Sequence, residues 1–212
     1  ACEVLIVRHG ESAPERADRP FPQVDGQGDP ELSPAGREQA IRVAERLEHE
    51  DISAIYVTTL QRTAQTAAPL AARLGLEPRV ERDLREVFLG EWEGSFRRNI
   101  AEGHPTAVRV MAEGRWDVIP GAEPDDEFRG RVHSGIARVA AAHPDECVVI
   151  VAHGGVIGSI LTQAAGSSNT FAFVGADNGS IAHVGVTPDR WIIRCYNDTS
   201  HLGLAVSTAP EP

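Results

Sequence analysis

The chain has 212 residues, 42% of them hydrophobic and 24% charged, with a net charge of −11. That length suits one domain with a substantial core, and the composition is that of a globular protein rather than a disordered or fibrous one. The negative balance excludes general nucleic-acid binding, which needs a basic face, and all 20 basic residues are arginine, which excludes lysine Schiff bases and the lysine-bearing phosphate loop.

In chain order, Glu3 to Val7 is a short apolar, β-branched run that predicts a buried strand leading directly into Arg8, His9 and Gly10. Residues 13–31 are rich in Pro, Gly and Asp and have no usable periodicity. Ser33 and Pro34 then supply an N-cap and a first helical position for a helix to about His49. Ile52 to Thr58 predicts a second strand, followed by a helix from Gln61 to Leu74 that Gly75 terminates. A short strand near Pro78 to Glu81 precedes the segment LREVFLGEWEG, and residues 97–123 read as a polar, partly helical excursion of cap-like character. Phe128, Val132, Ile136 and Val139 stand at helical spacing in a helix that ends near His143. The acidic run just before it is better read as opening that helix than as a metal site. Cys147 to Val151 is a strand, Gly155 to Gly166 a helix, and Ile181 to Thr187 with Trp191 to Tyr196 an antiparallel pair turned at Pro188 and Asp189. The expected fold is therefore an α/β three-layer sandwich, a mainly parallel central sheet with one antiparallel edge strand and helices on both faces, in a single domain over 1–212.

The longest apolar run, Cys147 to Ala152, is far short of the roughly 20 residues that span a bilayer, and the N-terminus lacks a signal-peptide pattern. A cytoplasmic protein without membrane attachment is expected. Cys2, Cys147 and Cys195 are too few and too scattered for a disulfide framework or a zinc site.

In parallel sheets ligands bind beyond the C-terminal ends of the strands. Two strands each deliver a histidine and a glycine there: VRHG at Val7 to Gly10 and VAHGG at Val151 to Gly155. A neutral imidazole can attack phosphorus to give a covalent intermediate, and an adjacent arginine can hold the phosphoryl oxygens in its planar fork. Arg62 opens a helix just past the second strand and adds a cation at the same edge. The remaining histidines lack such a context.

RHGES, LSPAGREQA, LQRTAQTA, LREVFLGEWEG and VAHGG occur in an order that resembles the histidine phosphatase superfamily, in its phosphoglycerate mutase-like branch. DNGSIAHV is similar to that family's closing strand. The resemblance implies that His9 is the phosphorylated nucleophile and that Arg8, Arg62 and His153 surround the phosphoryl group. It also implies that Glu86 is the proton donor, with Glu91 and Glu93 as competing carboxylates. Gly154 would add a backbone N–H at a helix N-terminus, and Gln27 would line the substrate site. The implied reaction is hydrolysis of phosphate monoesters on small metabolites without a metal or other cofactor. Cations around His9 that keep it neutral add the expectation of activity on the acidic side of neutrality, and a monomer or homodimer is the ordinary expectation. Pro14 and Glu15 stand where family members often carry Trp and Asn, and an anionic Glu15 in the phosphate pocket would be unhelpful. One alternative is a cofactor-dependent phosphoglycerate mutase, but the sequence after Glu86 lacks the Arg and Tyr of mutases. Another is a non-catalytic module that binds phosphorylated ligands, although Arg8, His9, Arg62, Glu86 and His153 are all present.

Overall fold

The structure is a computed structural model and describes residues 1–203. Strand β1 (Cys2–Arg8) sends Val4 and Ile6 into one core and Leu5 and Val7 into the other. Both faces are apolar, so each needs a helical layer. Helices α1 (Pro34–Leu47) and α2 (Gln61–Leu74) cover one face through Val43, Leu47, Ala67 and Leu70. Helices α5 (Asp125–Ala142) and α6 (Gly154–Ala165) cover the other through Val132, Ile136, Ile160 and Leu161.

Between these layers lie β5 (Arg79–Val80), β4 (Ala54–Val57), β6 (Cys147–Ala152), β1, β7 (Ile181–Val186) and β8 (Trp191–Asp198), in that spatial order. Pairing is parallel from β5 through to β1. Among the described residues the one reversed strand of this sheet is β7, antiparallel to both β1 and β8 and one place in from the edge. This is the three-layer, mainly parallel arrangement expected from the alternation of strands and helices.

Local chemistry sets the element ends. Ser33 accepts a hydrogen bond from the Gly36 N–H at 3.1 Å and caps α1, which stops at Leu47, two residues short of the expected His49. Gly75, at φ 65°, ends α2 as expected. Strand β4 is shorter than the predicted 52–58, because the Thr58 N–H already bonds the Thr63 hydroxyl at 3.0 Å. The stretch 13–31 contains an unpredicted hairpin, β2 (Gln23–Val24) with β3 (Gln27–Gly28), turned at Asp25 and Gly26. Two-residue strands are too short for alternation to register, although Asp-Gly is itself a hairpin turn signal.

The excursion before α5 carries α3 (Phe96–Ala101) and α4 (Pro105–Glu113) and packs its own small cluster of Trp92, Ala107, Val110 and Ile119. Asp125, Asp126 and Glu127 occupy the first turn of α5, where they complement the helix dipole. Among the described residues no helix is long and apolar enough to cross a membrane.

Candidate active site

Three adjacent strands, β4, β6 and β1, point their C-terminal ends at one edge of the sheet. Arg8 pairs in register with Ala152, so His9 and His153 follow as neighbours, their ring centroids 5.3 Å apart. Close backbone packing holds this edge in place. A Cβ on Gly10 would lie 2.4 Å from the Gly36 carbonyl oxygen, and one on Gly36 would lie 2.1 Å from that of Glu11. These are backbone contacts with no flexible partner, which explains the glycines of RHGES and LSPAG. The Gly10 N–H donates to the Thr66 hydroxyl at 2.9 Å, and Ser33 donates to the Glu11 carboxylate at 2.8 Å.

The His9 ring is defined by its partners. Nδ1 lies 2.7 Å from the Gly10 carbonyl oxygen, which can only accept, so Nδ1 carries the proton. Nε2 accepts from Arg62 Nε at 3.2 Å and therefore holds a lone pair. Burial, then Arg62 and Arg8, keep the His9 pKa well below the ordinary histidine value. His153 is fully buried and lowered for the same first reason, with Arg62 second. Its Nε2 lies 2.9 Å from the Thr58 hydroxyl.

Among the described residues, two buried side-chain polar atoms lack any hydrogen-bond partner: Arg8 Nε and His153 Nδ1. An unsatisfied buried polar group costs about 1–3 kcal/mol, so two at one strand edge mark a place that an anion can satisfy. Arg62 adds a partly buried guanidinium that donates to the Gly28 carbonyl at 3.3 Å. Arg97, exposed on α3, has no acidic partner among the described residues, and its charge is felt by Arg8, His9 and Arg62.

Glu86 reaches the same edge from an irregular segment. Its carboxylate accepts from its neighbour Val87 N–H at 2.8 Å and from Gly155 N–H, in the first turn of α6, at 3.1 Å. The competing carboxylates have other surroundings. Glu91 is exposed, while Glu93 is pushed up by burial and accepts from the Gly28 and Leu89 N–H groups at 3.0 and 2.9 Å. Gln27 is buried beside Glu86, and its amide donates to the Glu86 carbonyl at 2.8 Å, holding main chain. Gly154 opens α6 against Arg8, whose Cζ would be 3.4 Å from an added Cβ. Glu15 is exposed and accepts from Arg98 of the excursion at 3.3 Å, so the loop after RHGES ties to the cap through this carboxylate.

Thus Arg8, His9, Arg62, Glu86 and His153 converge, with Gly154 and Gln27 alongside. Sequence reasoning missed Thr58, whose hydroxyl meets His153, and Asn178, whose amide donates to the His9 carbonyl at 3.0 Å. A polar residue ending an apolar strand was the available signal for Thr58, and Asn178 lies inside the motif DNGSIAHV. His104, one of the remaining histidines, caps α4 by accepting from Thr106 N–H at 3.0 Å and packs edge-on to Trp92.

Two neutral histidines and two guanidiniums around unpartnered buried polar atoms, at the C-terminal edge of a parallel sheet, have the chemistry to hold an oxyanion such as a phosphate ester. The chain belongs to the histidine phosphatase superfamily (branch 1), which it matches over residues 4–199. It is 37% identical over 204 residues to phosphoglycerate mutase-like protein 4 of Arabidopsis thaliana, covering 94% of this chain and 86% of that one. It is 32% identical to the metal-independent phosphoserine phosphatase of the same plant, covering 94% and 83%. Among solved structures, mycobacterial glucosyl-3-phosphoglycerate phosphatase superposes with a TM-score of 0.78 at 29% identity, covering 93% of this chain and 99% of that one. With its phosphatase relatives, this chain falls in the phosphatase subgroup, whose members hydrolyse phosphate esters.

Proposed function

We propose that the chain is a broad acid phosphatase that hydrolyses small phosphorylated metabolites through a phosphohistidine on His9. The observation that carries this reading is the His9 ring, with its proton held on Nδ1 by the Gly10 carbonyl and its Nε2 lone pair at a cluster of cations. In the first step a His9 Nε2–P bond forms as the ester P–O bond breaks, and the Glu86 proton passes to the leaving oxygen. In the second, water attacks phosphorus, gives its proton to Glu86, and the N–P electron pair returns to Nε2. Arg8, Arg62 and His153 hold the phosphoryl oxygens as negative charge is redistributed. An oxygen beside His153 Nδ1 favours the tautomer with its proton there, and the Thr58 hydroxyl then donates to Nε2.

The two relatives named as phosphatases agree in chemistry and differ in substrate, one naming phosphoserine and the other glucosyl-3-phosphoglycerate. Arg97 supports a substrate that carries a second negative charge. The test is phosphate release from p-nitrophenyl phosphate and a panel of phosphorylated metabolites, with and without chelator, for wild type and His9→Ala. Turnover that survives the chelator and disappears with His9 is expected. Activity retained by His9→Ala overturns the mechanism, and conversion of 3-phosphoglycerate to 2-phosphoglycerate faster than phosphate release establishes a mutase instead.

A further inference from the structure

Glu86 sits in a stretch that belongs to no helix or strand: residues 85–89 lie between the helical turns Arg82–Leu84 and Gly90–Trp92. A carboxyl delivering a proton must keep its place to within about 1 Å, since misplacement on that scale costs on the order of a hundredfold in rate. The local backbone supplies no ladder to hold it, so the restraint has to come from elsewhere in the fold.

Gln27 contributes one bond to the Glu86 carbonyl, and the rest comes from Arg131 on α5, whose side chain is only 11% exposed. Nη1 donates to the carbonyls of Asp83 at 2.8 Å and Arg85 at 2.6 Å. Nη2 donates to the carbonyl of Glu86 at 2.9 Å and to Glu123 Oε1 at 2.6 Å, and Nε donates to Glu123 Oε2 at 3.0 Å. A guanidinium has five N–H donors, and these contacts account for all of them. Glu123 in turn pairs with Phe88: its N–H donates to the Phe88 carbonyl at 3.0 Å, and its Oε1 accepts from the Phe88 N–H at 3.0 Å. The ion pair therefore grips the segment on both sides of Glu86, by carbonyls before it and through Phe88 after it. A lysine cannot reproduce this, because its compact ammonium lacks the planar fork.

We propose that the Arg131–Glu123 pair is the positioning device of the proton donor, holding Glu86 for protonation of the leaving oxygen without touching substrate. This rests on the assignment of Glu86 as the donor. The diagnostic property is sensitivity to the leaving group. Glycerol 2-phosphate releases an alkoxide that needs the proton, whereas p-nitrophenyl phosphate releases a stabilised phenolate that barely does. The experiment measures kcat/KM for both esters, the inhibition constant of inorganic phosphate and the thermal midpoint, in wild type, Glu86→Gln, Arg131→Lys, Glu123→Gln and Arg131→Lys with Glu86→Gln. Arg131→Lys and Glu123→Gln should each lose about 10- to 100-fold on glycerol 2-phosphate and less than about threefold on p-nitrophenyl phosphate, with phosphate inhibition nearly unchanged. The double variant should be no slower on glycerol 2-phosphate than Glu86→Gln alone.

Equal losses on both esters, losses that multiply with Glu86→Gln, or a lowered midpoint with unchanged kinetics would each overturn the proposal. If the wild type hydrolyses neither ester, the phosphatase reading is what fails. Amide exchange then decides the positioning claim: Arg131→Lys must speed exchange at Val87 and Phe88, and unchanged protection there overturns it.

Discussion

Gly155→Ala is the sharpest perturbation of this site. A Cβ at residue 155 would lie 2.5 Å from Glu86 Oε1 and 3.2 Å from its Cδ, with no backbone atom among its near contacts. Ordinary carbon–oxygen contact is about 3.4 Å, so the carboxylate has to retreat by about 0.9 Å, or swing away, weakening the bond from the Gly155 N–H. The obstructing atoms end a flexible side chain, so the fold itself has little to resist. Replacing a helical Gly by Ala contributes up to about 1 kcal/mol in the other direction. Function and stability should therefore separate, with kcat/KM on an alkyl phosphate falling roughly a hundredfold while the thermal midpoint holds or rises. Steady-state kinetics on glycerol 2-phosphate together with a calorimetric scan would measure both. Wild-type kcat/KM in a folded Gly155→Ala protein would refute the claim that Glu86 must lie against the start of α6.

Three further expectations concern the groups around it. Burial first, then nearby guanidiniums, hold His9 neutral in the folded protein, whereas the unfolded chain takes up that proton near pH 6.5. The unfolded state thus binds more protons below pH 6.5 and stability falls as the pH drops, by about 2 kcal/mol for this residue at pH 5, so ligand-free His9→Asn should lose that much less between pH 7.5 and 5 in denaturant titrations. An identical pH slope in the two proteins would contradict the neutral, buried imidazole. Thr58→Val leaves His153 Nε2 without its hydroxyl partner, and should cost about 1–3 kcal/mol of stability and weaken inhibition by vanadate. Unaltered inhibition would remove Thr58 from the account of the phosphate site. Arg97→Ala should raise KM several-fold for phosphomonoesters that also carry a carboxylate, most at low ionic strength, and change p-nitrophenyl phosphate little. Equal KM changes for the two substrate types would assign Arg97 a purely structural role.

The strand ends were legible because their signals are local: EVLIV and CVVIVA are apolar runs, the first followed by Arg8, His9 and Gly10 and the second directly by His153 and Gly154. Burial on both faces follows from such runs, and with it a parallel sheet whose adjacent ends bring His9, His153 and Arg62 to one edge. The motif order pointed to Glu86 rather than Glu91 or Glu93, and it is the Glu86 carboxylate that meets the Gly155 N–H at this edge. What holds these groups was not legible, since it depends on contacts between distant segments. Arg131 meets Asp83, Arg85 and Glu86 across more than forty positions, and nothing in the helical pattern of α5 distinguishes it from a solvated arginine. Glu15, an unwelcome anion when placed by sequence alone, proves to be tied to Arg98 of the cap. Gln27, expected against substrate, holds the Glu86 main chain. The apolar pattern determined by itself where the strands end and which residues those ends deliver. The tertiary structure alone decided tautomer, hydrogen-bond partner and what grips the main chain around Glu86, because a side chain's partners are chosen by packing across the fold and leave no periodic trace.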